Sequence, residues 1–98
     1  MTTNNLEFLS TLDAVIADRL SNPSSESYTA SLAALGPKRI AQKVGEEGVE
    51  LALASLAGSR TEIIDEASDL FYHVLVLLRY HDVGIGDIVK TLQARHTG

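Results

Sequence analysis

Acidic side chains recur at helical spacing in two short stretches of this sequence. In the first, Glu46-Glu47-Gly48-Val49-Glu50, the acids Glu47 and Glu50 are three residues apart, and Glu66-Ala67-Ser68-Asp69 repeats that interval. Residues three or four positions apart on a helix lie on the same face. Each stretch would therefore present a pair of carboxylates on one side of a helix.

The segment between the two stretches is short enough to bring two such helices side by side. Helices joined by a short turn run antiparallel, so their acidic faces can meet. Converging carboxylates repel each other unless a cation lies between them, and oxygen ligands of this kind suit magnesium or manganese. The spacing therefore predicts a site for Mg²⁺, with Mn²⁺ as the alternative ion.

A solvated acidic face balanced by basic residues is the usual explanation of such spacing. Here Lys43 lies one turn before Glu47, and the next basic residue along the chain is Arg60. Because basic partners are few, we favour the metal site. His73 lies one turn beyond Asp69 within an apolar run, and in that setting a hydrogen-bonded core residue is more typical than a ligand or base.

Composition limits the remaining function classes. A chain of 98 residues makes one domain, and the absence of cysteine excludes disulfides and thiolate metal sites. The net charge is −5 and the basic residues are scattered, which argues against a nucleic-acid surface. The apolar run from Leu70 to Leu78 is too short to span a membrane, and the first five residues carry no secretory signal, so we expect a cytoplasmic protein.

Apolar periodicity and turn-forming residues predict an all-α bundle of about five helices. Gly58 should end one helix, and Ser59 with Glu62 has the form of a capping box for the next. The turn before the last helix should extend to Gly86, which would cap it. The predicted segments are residues 4 to about 20, a short helix after Ser27, Pro37 to about Ala57, Arg60 to about Tyr80, and Asp87 to about Gln93.

Two further features bear on packing. The predicted helix from Arg60 to Tyr80 carries apolar residues on more than one side, so it should be the most buried helix, and a homodimer is expected. Gly45 and Gly48 fall inside the preceding helix, where each costs about 1 kcal/mol relative to alanine. We attribute these glycines to close helix packing rather than to a ligand approaching the backbone.

The acidic pattern also carries a family resemblance. Glu-Glu-x-x-Glu, fifteen intervening residues and Glu-x-x-Asp resemble the motif of the MazG-like all-α nucleotide pyrophosphohydrolases. Within that superfamily, flanking segments resemble the phosphoribosyl-ATP pyrophosphohydrolases of histidine biosynthesis, over roughly Ser27 to the C-terminus. These segments are Ser27-Tyr28-Thr29-Ala30, Gly36-Pro37-Lys38-Arg39-Ile40, Lys43-Val44-Gly45-Glu46-Glu47 and Asp69-Leu70-Phe71-Tyr72-His73.

The resemblance implies a single domain over residues 1–98, in a form without a fused cyclohydrolase domain. It implies magnesium-dependent hydrolysis of phosphoribosyl-ATP to phosphoribosyl-AMP and pyrophosphate by a helical homodimer, with Glu46 and Glu47 as catalytic residues. Glu46 would be either a further metal ligand or the group that orients the attacking water. The implied metal ligands are Glu47, Glu50, Glu66 and Asp69, and the implied substrate-binding residues are Lys38, Lys43, Tyr28 and His73.

Two other functions compete with this one. A second pyrophosphohydrolase of the same fold, clearing non-standard nucleoside triphosphates, would need the same acidic motif, because base and ribose recognition lie outside it. A non-catalytic helical dimerisation module would use the acids only for solubility. Covalent chemistry has no support, since the sequence contains no cysteine, P-loop or serine triad.

Overall fold

The computed structural model describes residues 5–96, which form five α-helices and no strand. The all-α prediction is therefore confirmed. The first helix begins later than predicted, at Glu7, and residue 4 lies outside the described part of the chain. The helices are α1 (Glu7–Ser21), α2 (Tyr28–Ala34), α3 (Pro37–Ala57), α4 (Arg60–Tyr80) and α5 (Ile85–Arg95).

Local signals explain where the middle helices begin. The Ser27 hydroxyl accepts a hydrogen bond from the backbone N–H of Ala30 at 3.1 Å and so caps α2. Pro37 occupies the first turn of α3, where its missing N–H costs nothing. Ser59 and Glu62 form the predicted capping box of α4, with both hydrogen bonds at 3.2 Å. The turn between α3 and α4 is consequently only two residues long.

The start of α5 differs from the prediction. The helix begins at Ile85, with Gly84 as its N-cap, so Gly86 lies inside it and does not cap it. The reason is that the Asp87 carboxylate accepts a hydrogen bond from the backbone N–H of Gly84 at 2.9 Å, which draws the helix start back towards Gly84. Gly84 is also closely covered, since an added Cβ would lie 2.9 Å from Nη2 of Arg79.

The core lies where α1 and α2 pack against the α3–α4 hairpin. Each of these four helices contributes at least one buried aliphatic side chain, so the core extends across the bundle rather than along one helix pair. Its buried members are Ile16, Leu32, Ile40, Leu75 and Val76.

The second apolar face of α4 is left exposed by the described residues, 5–96. Leu75 and Val76 are buried, but Ile64 is 50% exposed and Phe71 is 56% exposed. The prediction that α4 is apolar on more than one side is confirmed, while its burial on both sides is not seen in the single chain. Within residues 5–96, no helix is both long and apolar enough to cross a membrane.

The packing explanation for the two glycines of α3 is wrong for this chain. Within the described residues, a Cβ added at Gly45 or Gly48 would meet no neighbouring element within 4 Å. These glycines therefore do not make room for another helix of the same chain.

An ion pair between a buried carboxylate and a partly exposed guanidinium joins α1 to α4. The guanidinium of Arg79 donates to both carboxylate oxygens of Asp13, at 3.0 and 2.6 Å. The backbone N–H of Ile85 donates to the same carboxylate at 3.3 Å. Asp13 therefore connects the first helix to the end of α4 and to the start of α5.

Candidate active site

The hairpin geometry places the acidic residues of α3 opposite those of α4. Glu50 and Glu66 are each eight residues from Gly58, and Glu47 and Asp69 are each eleven residues from it. Gly58 belongs to the two-residue turn, and residues equidistant from the turn of an antiparallel helix pair face each other. The position of this turn is a signal in the sequence that indicates which carboxylates pair.

The electrostatics agree with this pairing. The pKa of Glu66 is raised above its ordinary value, first by the neighbouring Glu50 carboxyl and then by burial, with further contributions from the charges of Glu50, Asp69 and Glu47. Two ionised carboxylates cannot hydrogen bond to each other, so the contact with Glu50 favours a proton on Glu66. These four acids, which we call the carboxylate cluster, therefore share one electrostatic environment.

Glu47 is the most deeply buried acid of the cluster, with 6% of its surface exposed. Its Oε1 lies 2.5 Å from Nδ1 of His73, and its Oε2 lies 3.9 Å from Nζ of Lys43. The hydrogen bond of Nδ1, however, goes to the backbone carbonyl of Asp69 at 2.9 Å. Among the described residues, Oε1 of Glu47 makes no hydrogen bond despite the close approach.

Glu66 also has an oxygen without a partner. Its Oε2 is buried and lacks a hydrogen bond among residues 5–96. Leaving a buried carboxylate oxygen unpaired is unfavourable, and in native structures most such oxygens have a protein group, an ordered water molecule or an ion as their partner. The two unpaired oxygens, one on α3 and one on α4, mark the carboxylate cluster as incomplete.

These observations test whether the cluster fits a metal ion. In the side-chain conformations of residues 5–96, no three histidine or acidic residues converge closely enough to hold one. The donor set nevertheless consists of carboxylate oxygens, which Mg²⁺ and Mn²⁺ prefer, and two of these oxygens are buried and unpaired. The oxygen atoms of these residues are therefore chemically suited to bind a divalent cation, although the side chains are not arranged around one.

Polar side chains of α2 contact α4 next to the cluster. The Tyr28 hydroxyl lies 2.8 Å from Nε2 of His73. The Thr29 hydroxyl forms a short hydrogen bond with the hydroxyl of Tyr72. The prediction of a hydrogen-bonded core histidine is thus confirmed, and the Thr29–Tyr72 pair was not predicted, because nothing in the spacing indicates that α2 packs against this part of α4.

The other predicted site residues lie at different distances from the cluster. Glu46 is exposed, and its carboxylate accepts a hydrogen bond from the amide of Gln42 at 3.0 Å. Lys43 is half-buried and adjoins Glu47, as described above. Lys38 is exposed in the first turn of α3, nine residues before Glu47, which corresponds to about 13 Å along a helix. The structure brings Lys43 and His73 to Glu47 and Tyr28 to His73, whereas it shows no contact of Glu46 or Lys38 with Glu47 among the described residues.

Comparison with known proteins adds evidence over nearly the whole chain. The sequence profile of the family described as phosphoribosyl-ATP pyrophosphohydrolase matches residues 9–96. The histidine biosynthesis bifunctional protein HisIE of Vibrio cholerae is 50% identical over 93 residues, which are 95% of this chain and 44% of that protein. The HisIE protein of Shewanella oneidensis is 53% identical over 89 residues, or 91% of this chain and 42% of that protein. The chain thus spans less than half the length of these curated relatives.

Proposed function

The chain belongs to the phosphoribosyl-ATP pyrophosphohydrolase family, and on that premise we propose that it hydrolyses phosphoribosyl-ATP to phosphoribosyl-AMP and pyrophosphate. This reaction is the second step of L-histidine biosynthesis, and the similar proteins of Vibrio and Shewanella are named for that pathway. The observation that carries the proposal is the carboxylate cluster on the α3–α4 hairpin, within a match that extends over residues 9–96.

We also propose that the cluster binds Mg²⁺ through Glu47, Glu50, Glu66 and Asp69. When bound, the ion would neutralise negative charge on the phosphoanhydride and on the departing pyrophosphate. Support comes from the buried oxygens of Glu47 and Glu66 that lack a hydrogen bond within residues 5–96 and from the raised pKa of Glu66, which is caused first by its contact with the Glu50 carboxyl, then by burial, and then by the charges of the neighbouring acids.

The protein's own residues have distinct tasks in this reaction. Lys43 lies beside Glu47 and would contact a phosphate oxygen, and the exposed Lys38 would contact a more distant one. Glu46 is exposed and lies one helical turn before Glu50, so its carboxylate would either be a further ligand or orient the attacking water. Glu47 would hold its charge in the buried part of the site, where charge interactions are strongest.

A homodimer is proposed as the working form. Large apolar side chains remain exposed on both sides of the hairpin, which is unfavourable for an isolated monomer. On α3, Leu53 is 61% exposed and Leu56 is 83% exposed, and on α1 Phe8 is 62% exposed. Light scattering at micromolar concentration should give twice the chain mass, and a monomer mass would contradict this part. The cytoplasmic location stays a prediction.

The decisive experiment measures product release from a panel of nucleotides, with and without Mg²⁺. We expect pyrophosphate, not orthophosphate, from phosphoribosyl-ATP, and activity that is lost when magnesium is chelated. Equal or faster hydrolysis of ordinary or non-standard nucleoside triphosphates would reassign the substrate within the same reaction class. Release of orthophosphate would contradict the reaction itself, and absence of any hydrolysis would support a non-catalytic module.

A further inference from the structure

His73 lies at the junction of three helices, and both of its ring nitrogens contact other residues. It is 6% exposed and projects from α4 towards α2 and α3. Nε2 lies 2.8 Å from the Tyr28 hydroxyl of α2. Nδ1 lies 2.9 Å from the Asp69 carbonyl one turn earlier on α4 and 2.5 Å from Oε1 of Glu47 on α3.

The chemistry of these neighbours determines where the ring carries its proton. A backbone carbonyl and a carboxylate oxygen both accept hydrogen bonds, so Nδ1 must be the N–H donor. In the neutral ring Nε2 is then the acceptor, and the Tyr28 hydroxyl donates to it. With the proton on Nε2 instead, the lone pair of Nδ1 would face the oxygens of Asp69 and Glu47.

This arrangement gives the Nδ1–H of His73 two acceptors that belong to the proposed metal site. It donates to the backbone of Asp69, and Oε1 of Glu47 lies close enough to take the same hydrogen after a small turn of the ring. The ammonium group of Lys43 is 3.9 Å from the opposite oxygen of Glu47, Oε2. His73 is therefore the nearest donor to the buried oxygen of Glu47.

We infer that His73 is a positioning residue, anchored by Tyr28, that holds the Glu47 carboxylate in the orientation required to bind the divalent cation. This inference rests on the proposed metal-dependent function. It gives His73 a role different from the substrate contact expected from the resemblance, because its ring is buried and both nitrogens have partners. Groups that orient a ligand in this way typically change metal affinity or activity by about 10–100-fold when they are replaced.

Two isosteric variants separate the two ring nitrogens. An asparagine amide can place its NH₂ near the position of Nδ1, whereas a glutamine amide reaches the position of Nε2. His73→Asn should therefore keep a donor towards Glu47, and His73→Gln should lose it. Tyr28→Phe removes the anchor without touching Glu47, and the tyrosine side chain is 52% exposed, so its replacement perturbs the core little.

The test measures Mg²⁺ binding directly, by calorimetry and by the rise in melting temperature on adding magnesium chloride alone. We expect His73→Gln to weaken Mg²⁺ binding by about 10–100-fold, and His73→Asn to retain most of the parent affinity. Tyr28→Phe should weaken it by a smaller factor than His73→Gln. At saturating Mg²⁺, the KM for phosphoribosyl-ATP should stay near the parent value in the two His73 variants.

Each other outcome overturns the inference in a recognisable way. Parent Mg²⁺ affinity in a folded His73→Gln protein would show that Glu47 needs no positioning by His73. Equal losses of Mg²⁺ affinity in His73→Asn and His73→Gln would indicate that His73 acts through core packing, and a raised KM with unchanged Mg²⁺ affinity would indicate substrate contact.

If the parent protein itself shows no response to Mg²⁺, the proposed metal site is wrong and the positioning role is wrong with it. A parent that binds Mg²⁺ and releases pyrophosphate, with variants that match it, would refute the positioning role alone.

Discussion

Helix α4 takes part in two groups of charged side chains with opposite kinds of neighbour: a cation in one and other carboxylates in the other. Towards its C-terminus, Arg79 neutralises Asp13 with two hydrogen bonds, and the backbone of Ile85 adds a third. In its first half, Glu66 faces other carboxylates, and one oxygen each of Glu66 and Glu47 has no hydrogen bond within residues 5–96. The charges of the first group are neutralised within the fold, whereas the second group is the one that we propose to bind a cation.

The pKa values of the two groups move in opposite directions for the same reason. The hydrogen bond from Arg79 is the largest cause that lowers the pKa of Asp13, whereas contact with Glu50 is the largest cause that raises the pKa of Glu66. A carboxylate beside a cation is stabilised in its charged form, and one beside another carboxylate is destabilised. The comparison suggests that Asp13 serves stability and that the carboxylate cluster serves function.

The largest expected effect is the loss of catalytic activity in Glu47→Gln. Loss of a charged ligand should reduce pyrophosphate release by more than about 100-fold, because even groups that only orient a metal ligand change activity by about 10–100-fold. The metal-free protein should be as stable as the parent or more so, since repulsion within the cluster falls. Magnesium should raise the melting temperature of the parent by more than that of the variant.

The matched control for this change is Glu7→Gln, an exposed acid in the first turn of α1. It should keep parent activity and the parent response to magnesium. Normal activity in Glu47→Gln would remove the distinction between the two groups of charges, because the cluster would then be only a solvated acidic face.

The second-largest effect is a loss of stability, expected when the Asp13–Arg79 pair is broken. Arg79→Met leaves Asp13 buried with only the Ile85 N–H as a partner, and removing one member of a buried pair costs about 3–5 kcal/mol. Because the Arg79 side chain is partly exposed, we expect a loss near or below the lower end of that range. Denaturant unfolding would measure it, while kcat at low temperature should remain near the parent value.

Arg19→Met is the control for Arg79→Met, because it removes an exposed arginine. Arg19 lies exposed in the last turn of α1, and surface substitutions of this kind change stability by about 0.5 kcal/mol or less. An Arg79→Met protein as stable as Arg19→Met would contradict the structural role assigned to the Asp13–Arg79 pair.

The third effect is a pH dependence of opposite sign in the two groups. Asp13 has a pKa below its ordinary value of 3.8, so its stabilisation is present above that value and is lost as the pH falls through the lower folded-state pKa. Glu66 has a pKa above its ordinary value of 4.5. The stability that its protonated form gives to the folded state is therefore present below pH 4.5 and is lost as the pH rises through the higher folded-state pKa.

Melting curves of the metal-free protein across the acidic range would separate the two contributions. Asp13→Asn should remove part of the loss of stability at the lowest pH values. Glu66→Gln should remove part of the decline that begins above pH 4.5, and magnesium should remove it in the parent. If the melting temperatures of Glu66→Gln and of the metal-free parent varied identically with pH, the prediction that Glu66 holds a proton would be contradicted.

The smallest effect is expected from Tyr72→Phe, which removes a neutral hydrogen bond next to the cluster. The hydroxyl of Tyr72 pairs with that of Thr29, which is buried. A single hydrogen bond contributes about 0.5–1.5 kcal/mol, and we expect a loss of that size in urea unfolding. Magnesium affinity should not change in Tyr72→Phe. The control Tyr80→Phe, at an exposed ring, should change neither the stability in urea nor the magnesium affinity. A large fall in magnesium affinity for Tyr72→Phe would extend the site beyond the carboxylates and His73.

The amino-acid sequence by itself determined the helices and the pairing of the acids. Ser27, Pro37 and the Ser59–Glu62 box define helix starts through contacts within one turn, so each acts without the rest of the fold. With the turn placed at Gly58, the opposition of Glu50 to Glu66 and of Glu47 to Asp69 follows from counting residues.

Only the tertiary structure decided which polar groups are satisfied. Asp13 and Arg79 are 66 residues apart, and Tyr28 and His73 are 45 residues apart, so their contacts depend on which helix faces pack together. The same packing leaves Gly45 and Gly48 with no neighbouring element of residues 5–96 within 4 Å of an added Cβ. Helical periodicity places a side chain on a face, but the partner across from that face comes from a distant part of the chain. That is why the ion pair, the position of His73 and the unpaired oxygens of Glu47 and Glu66 emerge only when the helices are assembled.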